Sequence, residues 1–216
     1  MYTQDFWNEI YRMHFDDAPW MDDGWKGPLF QALTSDVQSL LHGGLEGASL
    51  LDYGCGNGHV GYHFAQMGMT VDLADISSVL VDKLQSAKPA EYQVNIYQAS
   101  EPKQLPLGNT YDIILTLSLF HHITPSLWPD FISQFAARLN PGASMIISGW
   151  DESDPIIRSD MGLARYTQNP TWCINSLQDT IQKLNMTIYK SELIAIPVPG
   201  FGSDRCFRYI IASKPI

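Results

Sequence analysis

Cysteine is scarce in this chain: Cys55, Cys173 and Cys206 are the only three in 216 residues. They are too few and too scattered for a disulfide framework or a paired-thiol metal site, so free thiols and no metal are expected. Positive charge is scarce as well, with 13 Lys and Arg against 23 Asp and Glu, a formal net charge of -10, and no basic cluster. A surface of that sign repels a phosphate backbone, which argues against a nucleic-acid partner. No apolar run approaches the roughly 20 residues of a membrane span. The opening stretch MYTQDFWNEIYRMHFDD is acidic and aromatic, unlike a secretory leader, so the expectation is a cytoplasmic protein with no membrane partner. Internal repeats and low-complexity tracts are missing too. What is present, 45% hydrophobic residues over a length typical of one domain, suits a single sizeable core.

The front of the chain looks like an appendage, with Asp and Trp crowded between Asp16 and Trp25. In TQDFWNEIYRMHF, Tyr2, Phe6, Ile10 and Met13 recur at helical spacing, and GPLFQALTSDVQSLLHGG repeats the pattern with Gly43 and Gly44 as a stop. Two helices, forming a cap over residues 1–47, are predicted ahead of a core spanning 48–216. From Ala48 onward short apolar runs alternate with helical ones. SLLDYG, TVDLADI, EYQVNIYQA, YDIILTLSL and ASMIISGW read as strands. HVGYHFAQMG, SSVLVDKLQSA (capped by Ser77 or Ser78) and SLWPDFISQFAARLN, closed by Asn140-Pro141-Gly142, read as the helices between them. Such alternation predicts an α/β, Rossmann-like, doubly wound sheet with helices on both faces. After a helical INSLQDTIQKLN, the runs MTIYKSELIAI and RCFRYIIAS have no helix between them and are predicted to pair antiparallel, completing seven strands.

The stretch LLDYGCGNGHVG sits where the first strand meets its helix, the place where a ligand approaches the main chain in an open α/β sheet. Two parses compete. Gly56, Gly58 and Gly61 satisfy GxGxxG, the dinucleotide fingerprint, and would make the protein a nicotinamide-dependent oxidoreductase. That fingerprint starts at the strand end, however, whereas here Asp52, Tyr53, Gly54 and Cys55 intervene. The other parse takes Asp52 followed by Gly54, Gly56 and Gly58.

On that second parse, LLDYGCGNG, VDLADIS, YDIILTLSLFHHI and LNPGASMIISG, in this order and followed by two terminal antiparallel runs, resemble the class I S-adenosylmethionine-dependent methyltransferases over about Ala48 to Ser213. The resemblance implies S-adenosylmethionine as cofactor and S-adenosylhomocysteine as its product. Asp52 would orient the turn and the methionine amine, while Gly54, Gly56 and Gly58 let the methionine part lie on the backbone. Ile76 would cover the adenine, Ser100 or Glu101 in QASEPKQLP would meet its exocyclic amine, and Thr116 would line the pocket from the fourth strand. Asp75, about 20 residues past the turn, is placed to accept both ribose hydroxyls. Charge-assisted bonds of that kind are worth about 1.5 to 3 kcal/mol each. Its plain structural alternative is a helix cap.

Methyl transfer from a sulfonium is a displacement that chiefly needs the acceptor aligned in a dry pocket, and no metal. A base helps where the acceptor must lose a proton, and His121 and His122 in SLFHHI are the candidates, against the plain reading that one of them packs or caps a turn. Trp20, Trp25, Trp150, Asp151, Glu152, Tyr166 and Trp172 are expected to form an aromatic and acidic acceptor wall. Each taken alone reads equally as core or solvated face. DDAPWMDDGW resembles, over a short span, the front of thiopurine, thiol and halide methyltransferases. The expected acceptor is a small molecule, with oxygen, nitrogen, sulfur and carbon all open. A binding module that keeps the donor pocket without turnover is the third reading, beside the transferase and the oxidoreductase.

Overall fold

A strand covered on both faces needs apolar side chains on both, and the central runs of this chain have that character. In the computed structural model, which describes residues 3–14, 28–155, 174–197 and 204–215, they become β1 (Ser49–Tyr53), β2 (Thr70–Asp75), β3 (Val94–Gln98), β4 (Tyr111–Leu117) and β5 (Leu139–Trp150). With β6 (Thr187–Pro197) and β7 (Asp204–Ser213) they form one sheet in the order β3-β2-β1-β4-β5-β7-β6. The first five pair in parallel, whereas β7 runs antiparallel to both β5 and β6. This is the seven-stranded, mostly parallel architecture expected from the sequence, antiparallel end included.

Six α-helices lie among the described residues: α1 (Gln4–His14), α2 (Pro28–Leu40), α3 (His59–Gln66), α4 (Ser78–Ala87), α5 (Trp128–Arg138) and α6 (Leu177–Lys183). Because successive strand residues point to opposite faces, Leu50 and Ile113 enter one core while Leu51 and Ile114 enter the other. The first core takes Leu33 and Val37 of α2, Phe64 of α3 and Leu80 and Leu84 of α4. The second is closed by α5, whose Trp128, Phe131, Ile132 and Phe135 are buried at the i, i+3, i+4, i+7 spacing of one helix face. Each such side chain stabilises the fold by about 1.5 to 3 kcal/mol. Lys190 of β6 bonds Asp36 at 3.0 Å, so α2 is tied to the sheet by an ion pair as well as by its apolar face.

Three details differ from the expected boundaries. β4 stops at Leu117, two residues early, because Ser118 takes φ +56°, a left-handed conformation that no strand accommodates. The α5 helix ends at Arg138, and β5 begins at once with Leu139 paired to Tyr111, since Pro141 cannot continue a helix and a register shift between Tyr111 and Ile113 absorbs the extra residues. On α1, Met13 is 55% exposed, whereas Asn8 and Tyr11 are buried. The apolar spacing of Phe6, Ile10 and Met13 therefore does not mark the docking face, because that face meets a polar helix end. Among the described residues no helix is long and apolar enough to cross a membrane.

Candidate active site

Strand order reverses between β1 and β4, and the chain leaving β1 packs α3 on one face while the chain leaving β4 leads to α5 on the other. In open α/β sheets the ligand crevice lies at such a point, at the carboxyl ends of the strands. The glycine stretch lines one side of it. Gly54, Gly56 and Gly58 have φ of +76°, +53° and +75°, and Gly58 is the residue from which α3 starts. A side chain on Gly54 would be strained by that φ and would come within 3.0 Å of Leu119 Cδ1. The amides of Gly54 and Cys55 both donate to the Ala74 carbonyl, at 2.8 and 3.1 Å, which fastens the turn to β2. Gly61 serves packing instead: a Cβ there would fall inside the Leu73 side chain.

Two carboxylates lie under this turn. Asp52 is buried and accepts the Gly61 amide at 3.2 Å, so it holds the start of α3 against β1. Burial outweighs that hydrogen bond and pushes its pKa up to about 7, with the nearby Asp75 charge adding to the shift. Asp75, also buried, ends β2 and accepts the Ser77 amide at 3.0 Å on one oxygen and the Gly56 amide at 3.4 Å on the other. Its pKa is raised to about 6 by burial, against the lowering effect of those amides. The helix-cap role belongs to the neighbouring Ser77, whose hydroxyl accepts the Leu80 amide at 3.2 Å, a contact worth about 1 kcal/mol. Cys55, in the turn itself, is a free thiol, as is Cys206, whereas Cys173 lies outside the described residues.

Around this pair the other donor-side candidates are set by local turns. Ile76 follows Asp75 directly and is half-buried. The amides of Ser100 and Glu101 and the Ser100 hydroxyl all donate to Gln104 Oε1, at 2.6, 3.2 and 3.1 Å. The Glu101 carboxylate pairs with the exposed Lys103. Thr116 is fully buried near the end of β4, and its hydroxyl has no hydrogen-bond partner.

The far side of the crevice is aromatic. A single helical turn, Phe120–His122, follows β4 and brings the His121 and His122 rings to 4.1 Å of each other. His121 is buried with Trp150 at 5.2 Å, and Trp150 stacks on Phe207 at 4.8 Å. Burial lowers the His122 pKa to about 3, so its ring is neutral near pH 7. Trp7 of α1 meets it edge-on at 4.9 Å. Asp151 is buried but committed elsewhere: one oxygen accepts from Arg208 Nη2 and Nε at 2.7 and 2.9 Å, and the other from the Ser153 amide and hydroxyl. Glu152 is exposed. Trp20, Trp25, Tyr166 and Trp172 lie outside the described residues.

Sequence reasoning expected the N-terminal helices to cap the core but singled out none of the α1 residues that meet the glycine turn and His122. Gln4, Trp7, Asn8 and Tyr11 form an i, i+3, i+4, i+7 stripe, but two of the four are amides, so a search for apolar periodicity passes over them. Tyr11 is 5% exposed, and its hydroxyl lies 3.8 Å from the position of a Cβ on Gly56.

Comparison with known proteins agrees with this geometry. A family model described as a methyltransferase domain matches residues 27–186. The ubiquinone biosynthesis O-methyltransferase of Paramagnetospirillum magneticum is 33% identical over 105 residues, 45% of this chain but 38% of that protein, so the match spans about two fifths of this relative's length. Among solved structures, magnesium protoporphyrin IX methyltransferase from Synechocystis, determined with bound S-adenosylmethionine, superposes with a TM-score of 0.69 at 18% identity, covering 99% of this chain and 98% of the other. The 1,6-didemethyltoxoflavin-N1-methyltransferase of Burkholderia thailandensis, determined with S-adenosylhomocysteine and its substrate, superposes with a TM-score of 0.68 at 18% identity, covering 99% and 87%. The family match covers most of the chain and the nucleotide-crevice fold covers nearly all of it: the chain belongs to the methyltransferase-domain family and has its class I fold.

Proposed function

We propose that the protein transfers a methyl group from S-adenosylmethionine to a small-molecule acceptor. One observation carries this reading. A turn of three left-handed glycines at the end of β1 lies directly against a buried carboxylate at the end of the neighbouring strand. The residues present fit that cofactor. Gly54, Gly56 and Gly58 would hold its amino-acid end, Asp52 would fix the turn that receives it, and Asp75 would accept the ribose hydroxyls. Ile76, Thr116 and Ser100 or Glu101 would bound the remainder. When bound, the group supplies an electrophilic methyl on sulfur, so the protein has only to align a nucleophile and exclude water.

In this reading the acceptor lies against the wall that the Phe120–His122 turn builds with Trp150. A base works best with a pKa near the working pH, so the low value of His122 suits it to orienting an acceptor or accepting a hydrogen bond rather than storing a proton. That leaves His121 as the candidate for proton removal. Asp151, held by Arg208, supports the wall without facing the acceptor. The named relatives include an O-methyltransferase and an N1-methyltransferase, so one fold serves more than one nucleophile. In this reading residues 1–47 cover the 48–216 core, with α1 on the crevice and α2 packed on the sheet. A net charge of -10 favours a metabolite over nucleic acid as the acceptor.

Calorimetry with S-adenosylhomocysteine tests the donor assignment. Asp75→Ala is expected to weaken binding roughly 100-fold, about 2.7 kcal/mol. Equal binding by the variant sinks the assignment of Asp75. Incubation with donor and a panel of phenols, amines, thiols and carboxylic acids then separates turnover from mere binding, since a methylated product excludes a silent module.

A further inference from the structure

We infer that α1 is a structural part of the donor site and that Asn8 is a positioning residue for Asp75, an inference that rests on the donor reading above. Asn8 is only 6% exposed, and a buried amide must find partners. Its Oδ1 accepts the Ser77 hydroxyl at 2.8 Å, the Val79 amide at 3.3 Å and the Ser78 hydroxyl at 3.4 Å. These donors crowd the first turn of α4, where backbone amides lack partners within their own helix. Ser77 caps α4 with the same hydroxyl and sends its amide to Asp75 Oδ1 at 3.0 Å, while Asp75 Oδ2 takes the Gly56 amide. A hydrogen-bonded chain thus runs from the N-terminal helix through Ser77 and the carboxylate to the glycine turn.

Two further contacts keep α1 in register with that chain. Lys83 of α4 donates to the Tyr11 carbonyl at 3.0 Å, and Gln4 donates to the Ser78 hydroxyl at 3.4 Å. One turn beyond Asn8, Tyr11 is thereby placed over Gly56, as Trp7 is over His122. A ligand that needs Asp75 in its observed orientation is favoured by docked α1, and by linkage it must favour docking in return by the same factor.

Hydrogen exchange of residues 4–14 in the full-length protein, with and without S-adenosylhomocysteine, reads that coupling. Saturating ligand is expected to slow exchange there about tenfold. Asn8→Leu, which removes the acceptor oxygen at similar volume, is expected to weaken the ligand by about the same factor and abolish the slowing, without changing the circular dichroism of the core. Asn8→Asp keeps an acceptor oxygen and is expected to retain both effects; if the leucine variant does not fold, Asn8→Ala replaces it. Wild-type affinity in the leucine or alanine variant, or exchange in α1 unmoved by bound ligand, overturns the inference and leaves the donor reading intact. Failure of the wild-type protein to bind S-adenosylhomocysteine removes both.

Discussion

The two sides of the crevice are built differently. On the side of the glycine turn, the proposed donor side, main-chain amides and two buried carboxylates are joined by hydrogen bonds that span 2 to 19 positions. On the side of the histidine turn, the proposed acceptor side, rings from α1 and β5 meet the Phe120–His122 turn across long sequence separations, with the Asp151–Arg208 ion pair behind them. Backbone recognition suits a ligand common to a whole family, because it depends on chain path rather than on side-chain identity. Side chains gathered from distant elements can be exchanged singly, which suits a ligand that differs from member to member.

Substitutions sharpen that contrast, and the largest effect is expected behind the acceptor wall. Arg208→Met leaves the buried Asp151 carboxylate without its cation and is expected to cost about 3 to 5 kcal/mol in denaturant unfolding, while S-adenosylhomocysteine affinity stays near wild type. Equal loss of both would mean that the two sides are not separable. Next in size is Gly61→Ala, which places a methyl group inside the Leu73 side chain and displaces the amide that Asp52 accepts. A cost of about 2 kcal/mol is expected, here together with weaker ligand binding, since the turn itself moves.

Titration gives the smallest effects, with opposite signs on the two sides. Asp52 and Asp75 have folded pKa values raised to about 7 and about 6 from 3.8, so the folded state holds the extra protons below those values. They cost stability at neutral pH and return it on acidification, while the carboxylate form of Asp75 proposed to accept the ribose hydroxyls is lost. S-adenosylhomocysteine affinity should therefore be level above about pH 8 and fall as pH drops through 7 and 6. His122 works the other way. Its folded pKa is lowered from 6.5 to about 3, so the unfolded chain holds the extra proton between those values, and stability present above about pH 6.5 is lost on acidification. His122→Gln should thus gain on the wild type, in unfolding free energy, at pH 5 relative to pH 7.5. A pH-independent difference would show that the ring is not kept neutral by burial.

Most of the sheet was legible because its signals are local. Apolar runs such as YDIILTL and the helical spacing in WPDFISQF each lie within a dozen residues, and both cores follow from them. The meeting of two carboxylates with the glycine turn was legible for the same reason, since the turn and the acids at two strand ends are linked by a single β-α-β unit. Strand ends were less so: a left-handed serine at 118 and a register shift before Ile113 depend on neighbouring strands. The docking face of α1 was misjudged because Asn8 is polar, and its burial makes sense only once the first turn of α4 is opposite it.

What the sequence determined by itself, then, is the alternation of elements, the two-sided core and the glycine-and-carboxylate turn, because periodicity and backbone conformation act over a few residues. Tertiary structure alone decided that Asn8 meets Ser77, that Asp151 answers Arg208, and that His121 lies against Trp150. Those pairings join residues between 29 and 69 positions apart, and no local preference selects a partner at such a distance; only the packing of whole elements does.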